Sequence, residues 1–385
     1  MKNKYLQTGG GKNWAFALLY AFKNHRIYRF YANQFRRYLR LHGYPNVKVT
    51  GEDAYLLKWK QLSNRIEPYS YRLYSHYLGN NPNIAPEDLV HSQFEASLNP
   101  MRFRSYYSDK NTYNLYIPAE NLPRTIARRI HGSCLLDENY QSLDCSLTQS
   151  LLPYEKVILK PTIDTNSGAG VMLFVKKEEN WCYVKDENIK LTEQFLYDFS
   201  DDFIVQECLV QHNSLAALNP TSINTLRVAA YRSVKDEVPH VLASIVRVGK
   251  SGEFVDNAHA GGRFIGIDVH TGKLHQTSFD QFGNAQSKWN NVNYATSQHI
   301  VPSWEQVKAL VEKVTSRLYH VRLVAFDITV DSNGVPKLVE LNVNGFAPWP
   351  FYYTGQDVFG EYTDEIIAYC KSRQKHPCSY RLMEC

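Results

Sequence analysis

Two carboxylates and an amide sit at hairpin spacing in the last quarter of this 385-residue chain. In LVAFDITVDSNGVPKLVELNVN (323–344) two apolar runs flank Asn333-Gly334, a strong short-range hairpin signal. A loop centred there pairs positions whose numbers sum to 667, which sets Asp327 opposite Glu340. Asn342, two residues on, points to the same face. Cβ atoms so opposed lie about 4.5–5.5 Å apart, and like charges there repel, the more so among apolar neighbours that exclude water. A divalent cation relieves the clash. Asp327, Glu340 and Asn342 offer hard oxygen donors of the kind Mg²⁺ takes. A protonated carboxyl or a solvated edge is the structural alternative. On the metal reading, removing either carboxylate leaves the fold intact and even stabilises it without the metal.

Three more stretches carry candidate chemistry. In KVILKPTIDTNSGAGVMLFV (156–175) a strand ends in Lys160 and a loop runs through Thr165, Ser167, Gly168 and Gly170 to a second strand. Glycines let backbone N–H groups approach an anion, and the lysine supplies a point charge for phosphate. A plain hairpin loop would look the same. In DFIVQECLV (202–210) an apolar strand exits through Gln206-Glu207 towards Leu209. Its backbone suits a base edge and its carboxylate a ribose, although a buried strand with a polar exit also explains it. Arg227 and Arg247 then fall on successive strands, followed by Asn257 in DNAHAGG. Arginines among apolar strand residues are costly unless they meet an anion, either a transferring phosphoryl group or a nearby acid. His259 in the same loop reads as a surface or substrate-lobe residue.

The elements that must position these groups are legible in outline. Residues 1–100 read as mostly helical, with breaks at Gly43-Tyr44-Pro45 and Leu78–Pro82. SDKNTYNLYI (108–117) reads as a short helix capped by Ser108 or Asp109. A strand-rich region follows: RRIHGSCLLD, KVILK, VMLFVKK, WCYVKD, DFIVQECLV, NTLRVAAYRS, HVLASIVRVG, RFIGIDVH and the hairpin, with a helix at Ser303–Leu318 before it. The net charge of +5 is small for this length and gives no case for nucleic acid. The 27 tyrosines, many in the first third among Arg and Lys, suit amphipathic packing or a surface for sugars and anionic head groups; packing is the reading taken. Seven scattered cysteines without a CxxC pair read as reduced thiols in a cytoplasmic protein. WAFALLYAF (14–22) is too short to span a bilayer and lacks a cleavage site, so peripheral membrane contact is the most it suggests. Gly9-Gly10-Gly11-Lys12 lacks the spacing of a P-loop.

Taken in order, these stretches resemble the ATP-grasp superfamily. SINTLR, NAHAGG and ELNVNGFAPW are most similar to its sugar-transfer-associated group, over roughly residues 105–372. The resemblance implies an α+β ATP-grasp fold, two α+β lobes clamping ATP, preceded by a mostly helical N-terminal region (1–104). The first lobe would span 105–212 and the second 213–385. It implies ATP held by Lys110, Lys160, the 165–170 loop, Gln206, Glu207 and Leu209, with Arg128 or Arg129 as substitutes for Lys110. Arg227, Arg247 and Asn257 would be catalytic. Asp327, Glu340 and Asn342 would hold Mg²⁺, in two ions, with Mn²⁺ as a substitute. The implied activity is amide formation between a carboxylate, such as a sugar acid, and an amine through an acyl phosphate, alongside polysaccharide-assembly enzymes. A sugar or glycan kinase, a non-catalytic nucleotide-binding partner of a glycosyltransferase, and a membrane-associated assembly factor are the alternatives. The chain departs from the peptide ligases after Asn342, where Val343-Asn344-Gly345-Phe346 replaces a small-Pro-Gly sequence.

Overall fold

Apolar alternation organises the chain into two antiparallel sheets, seen in a computed structural model that describes residues 10–163, 170–253, 256, 258–296 and 298–373, without the side chains of 10–17 and 260. The first sheet contains β1 (Thr125–Arg129), β2 (Lys156–Pro161), β3 (Met172–Lys177), β4 (Asn180–Tyr183), β5 (Asp186–Lys190) and β6 (Phe203–Glu207), in the order β1-β6-β2-β3-β4-β5. The second draws on β7 (Leu226–Arg232), β8 (Pro239–Val248), β9 (Arg263–Ile267), β10 (Leu274–Phe279) and β11 (Ala285–Gln286). After a small ribbon of β12 (Lys288–Trp289) and β13 (Val292–Asn293) come β14 (Leu323–Val330) and β15 (Pro336–Asn342). Its order is β11-β10-β9-β8-β7-β14-β15. The short helix after Ser108 is a 3-10 turn, Lys110–Leu115, whose cap Asp109 accepts from the Asn111 N–H.

Period-two alternation gives the second sheet two buried faces. Val228, Ala230, Phe326 and Ile328 meet the helix Trp304–Arg317 through Val307, Leu310 and Val314. Ala229, Tyr231, Ala243, Ile245 and Ala325 face the other way and share one core with Phe35, Tyr55, Trp59 and Tyr74 of the N-terminal helices. The helical region is therefore built onto the sheet that carries the hairpin. Arg227, Arg247 and Asp327 lie on this second face, at the end where the apolar cover stops.

RRIHGSCLLD is a strand only as far as Arg129; beyond it His131 and Gly132 take positive φ and turn the chain. Arg128 and Arg129 thus close β1 rather than open a strand. The hairpin also differs from its simplest form. Asp331 N–H bonds the Val335 carbonyl and Gly334 N–H bonds that of Asp331, so the loop holds three residues, with Gly334 at φ 82°. Val330 then pairs with Pro336 and Ile328 with Leu338, a register that would set Asp327 against Val339. A bulge intervenes, and Asp327 pairs with Glu340 after all. Val339 and Glu340 are accordingly both half-buried instead of alternating.

Asn99 locks the helical region to the hairpin. It is fully buried; its amide donates to the carbonyls of Leu323 (2.6 Å) and Val343 (2.9 Å) and accepts from the N–H groups of Arg322 and Leu323, both at 3.0 Å. Asn99→Ala strands four backbone groups at the start of β14 and the end of β15. Urea unfolding should show a loss of about 2–4 kcal/mol, since each buried group left unpaired costs about 1–3 kcal/mol and some regain water.

Candidate active site

The face shared by β8, β7 and β14 ends in a cluster of charges. Asp327, 2% exposed, lies directly across from Arg227, whose Nε and Nη2 reach its two carboxylate oxygens at 2.5 and 2.9 Å. Arg247 Nη2 reaches Oδ2 at 3.2 Å. Burial alone would push the Asp327 carboxyl up, but the two guanidinium groups outweigh it and hold it below its ordinary value. Asn342 donates from Nδ2 to Asp327 Oδ2 and to the Ala325 carbonyl, both at 3.3 Å, so its Oδ1 turns away from Asp327.

Arg247 has further partners that the sequence reading passed over. Its Nε donates to Thr225 Oγ1 at 2.8 Å and lies 3.7 Å from Asp256 Oδ2. Asp256 in turn accepts from the Thr225 N–H and hydroxyl. Burial raises Asp256 above the usual carboxylate range despite Arg247. Burial works against Arg247 too, yet Asp256, Asp327 and Glu340 together hold its guanidinium above the ordinary value. The signal was present, as Asp256 immediately precedes Asn257.

Segments of the first lobe complete the cluster. Lys110, buried on the 3-10 turn, donates from Nζ to Glu340 Oε1 at 2.8 Å, and its N–H bonds the Thr162 carbonyl just past β2. Lys160 lies nearby and is buried rather than open at a cleft. Burial, with the Lys110 charge added and Glu340 only partly compensating, brings its ammonium down to about 7. Gly170, at φ 76°, sits where a Cβ would come within 2.9 Å of the Pro161 ring, so this corner requires glycine. Thr165, Ser167, Gly168 and Asn257 lie outside the described residues.

The substitutes for Lys110 are committed elsewhere. Arg128 is fully buried and donates to the Asn111 carbonyl and Asn114 Oδ1. Arg129 donates to the carbonyls of Ser133, Tyr197, Ser200 and Gly132. The hinge is likewise more occupied than its sequence suggests. Gln206 donates to the Pro123 carbonyl, Glu207 Oε1 accepts from the Arg124 N–H, and the Cys208 N–H bonds the Lys156 carbonyl. Leu209 lies past the end of β6, outside both ladders.

The clash foreseen between Asp327 and Glu340 is thus relieved by cations of the protein itself: two arginines on one carboxylate, a lysine on the other. The oxygen donors still suit Mg²⁺. Glu340, with its side chain 30% exposed, and Asn342 are the accessible donors, whereas Asp327 is sealed beneath its arginines. This reverses the expected effect of removing Asp327. Asp327→Asn leaves two half-buried guanidinium groups, 19% and 20% exposed, short of charge and should cost about 2–3 kcal/mol in chemical unfolding, somewhat less than breaking a fully buried pair. Glu340→Gln should cost much less. Equal losses for the two would contradict this division.

No curated protein matches the chain in sequence. Among solved structures it is similar to the Bacillus anthracis D-alanine–D-alanine ligase (11% identity, 70% of this chain and 68% of that one, TM-score 0.35). It is similar to the Coxiella burnetii D-alanine–D-alanine ligase as well (8% identity, 72% and 62%, TM-score 0.38). A third is the biotin carboxylase domain of Hydrogenobacter thermophilus 2-oxoglutarate carboxylase (12% identity, TM-score 0.39), where 69% of this chain covers under half, 45%, of the other. At such scores these likenesses carry no weight for chemistry. The decisive match is the family model for sugar-transfer associated ATP-grasp, which covers residues 89–353. That span takes in Lys110, both sheets and the whole hairpin, so the chain belongs to the sugar-transfer associated ATP-grasp family and has its ATP-grasp fold.

Proposed function

We propose that this protein is an ATP- and Mg²⁺-dependent ligase that joins the carboxylate of a sugar acid to an amine during assembly of a surface polysaccharide. The observation that carries the reading is the gathering of Lys110, Lys160, Arg227 and Arg247 around Asp327 and Glu340 where the two lobes meet. Lys110 and Lys160 hold phosphate oxygens. Glu340 and Asn342 would hold Mg²⁺, with Asp327 joining them only as Arg247 turns away, and the bound ion would neutralise charge on the phosphates. Arg227, paired to both Asp327 oxygens, is the support. Arg247 reaches Asp327 with one nitrogen and keeps Asp256 as a second counter-charge, so it is the guanidinium able to turn to the reacting oxygens. The sugar carboxylate attacks the γ-phosphorus of ATP, expelling ADP. The amine then displaces phosphate from the acyl phosphate, losing a proton as the amide forms.

A small aromatic cavity with a few polar groups, on the same sheet face, supports a hydroxylated acceptor. Phe264, opposite Arg247, packs edge-on against Trp349, and Trp349 helps line a space of about 50 Å³ with Tyr74, Glu87, His259 and Tyr353. The hydroxyls of Tyr74 and Tyr353 and Oε1 of Glu87 are buried without a hydrogen-bond partner. Two O–H donors and one acceptor match the two lone pairs and one proton of a sugar hydroxyl.

Incubation with ATP, Mg²⁺, a panel of uronic acids and a panel of amino acids should give a product lighter than the sum of its parts by one water, with ADP and free phosphate. A stable phosphorylated sugar formed without amine would replace the ligase by a kinase. Lys160 offers a second test. Phosphate favours its charged form, so ATP binding should take up a proton above about pH 7, and affinity should fall as pH rises through that window. Below it the lysine is already charged and the dependence flattens. Calorimetric titration in two buffers of unlike ionisation heat reads the uptake directly, and Lys160→Met should abolish it.

A further inference from the structure

Charge is divided very unevenly along this chain. Residues 1–51 hold ten Lys and Arg and no Asp or Glu, whereas residues 52–385 hold 33 Lys and Arg against 38 Asp and Glu. A small net charge of +5 therefore conceals a strongly cationic end on an acidic body. Most of that end is one helix, Gly10–Leu41, about 48 Å long at 1.5 Å per residue.

Among the described side chains of this helix, full burial begins at Ala32, whereas Tyr20 and His25 before it meet the body through bonds to Ser92, Gln93 and Arg65. Ala32, Phe35 and Leu39 are buried, Phe35 and Leu39 in the core shared with the second sheet. Earlier along the helix, Leu18, Leu19, Phe22 and Phe30 are 56–62% exposed. Leu19, Phe22, Lys23, Arg26, Ile27 and Phe30 stand at i, i+3, i+4, i+7, i+8 and i+11, a single stripe of the helix surface. They line an open trough of about 600 Å³ that ends at Tyr31, which stacks on His91. Apolar side chains this exposed and this aligned mark a surface that is covered in use.

We propose that this helix lies on an anionic lipid surface, with the leucines and phenylalanines in the head-group–acyl boundary and the lysines and arginines on lipid phosphates. Charge selects this occupant. A second copy applied to the same stripe would bring an all-cationic segment against its like, with no acid in residues 1–51 to offset it. The mode is in-plane, since no helix among the described residues is long and apolar enough to cross a membrane. The proposal is independent of the ligase reading.

Flotation of the full chain with vesicles tests it. The protein should rise with phosphatidylcholine vesicles containing about one-third phosphatidylglycerol, remain behind with phosphatidylcholine alone, and be released by high salt. Leu19→Glu with Phe22→Glu, and separately Arg26→Glu with Arg29→Glu, should each weaken binding by more than about tenfold. Both pairs are at exposed or trough positions, so melting temperature and ATP affinity should stay at wild-type values. Three outcomes overturn the proposal: no flotation, flotation unchanged by either pair, or a solution dimer that the leucine–phenylalanine pair dissolves, which would assign the stripe to a second copy.

Discussion

A carboxylate removed from water between two guanidinium groups sets the geometry on which the candidate site depends. Asp327 is costly to bury, and the cost is offset only where Arg227 meets both of its oxygens and Arg247 comes in from the next strand. The three residues sit on three neighbouring strands, so their contact fixes how β8, β7 and β14 align. A slip of one residue would turn Arg227 towards the apolar face that packs on the helix Trp304–Arg317. The packed core and the ion cluster thus select the same register.

From this anchor the site extends outwards by charge pairs of decreasing burial. Asp256 and Thr225 brace Arg247 from the side, and Lys110 reaches across from the first lobe to Glu340. Because Lys110 belongs to the turn that also bonds the exit of β2, Glu340 senses the position of the first sheet through its ion pair with Lys110. The hairpin tip does the same for the hinge: Ser332 bonds the Val210 carbonyl and His212 bonds that of Val330. One hairpin therefore touches the connection between lobes at its tip and the first lobe at its other end.

Periodicity made much of this legible. Each apolar run from Lys156 onward became a strand close to its expected bounds, the cap at Asp109 is where its side chain signals it, and the helix expected over Ser303–Leu318 is Trp304–Arg317, although Ser303 spends its hydroxyl on the Gly334 carbonyl instead of capping it. What stayed hidden depends on contacts between distant residues. Nothing local tells Arg227 whether its anion is a ligand or Asp327, one hundred positions away. Arg128 looked as available as Lys110 because its partners, Asn111 and Asn114, lie across a turn whose path the pattern does not show. The aromatics divide in the same way: Tyr55, Tyr71 and Tyr74 pack as composition suggests, but Phe22 and Phe30 repeat the pattern without a core to receive them.

The hairpin's loop and bulge amount to a parity code. A third loop residue shifts pairing by one, and the bulge at Val339 shifts it back. A two-residue loop without a bulge would leave Asp327 facing Glu340 at the same separation in sequence. Insertions and deletions here are consequently tolerated in compensating pairs and harmful singly. One unmatched change would keep a well-paired hairpin but turn Glu340 to the far side of the sheet, away from Lys110. Relatives of this chain are free to exchange one device for the other, so a constant spacing between the two carboxylates would not reveal which of them holds it.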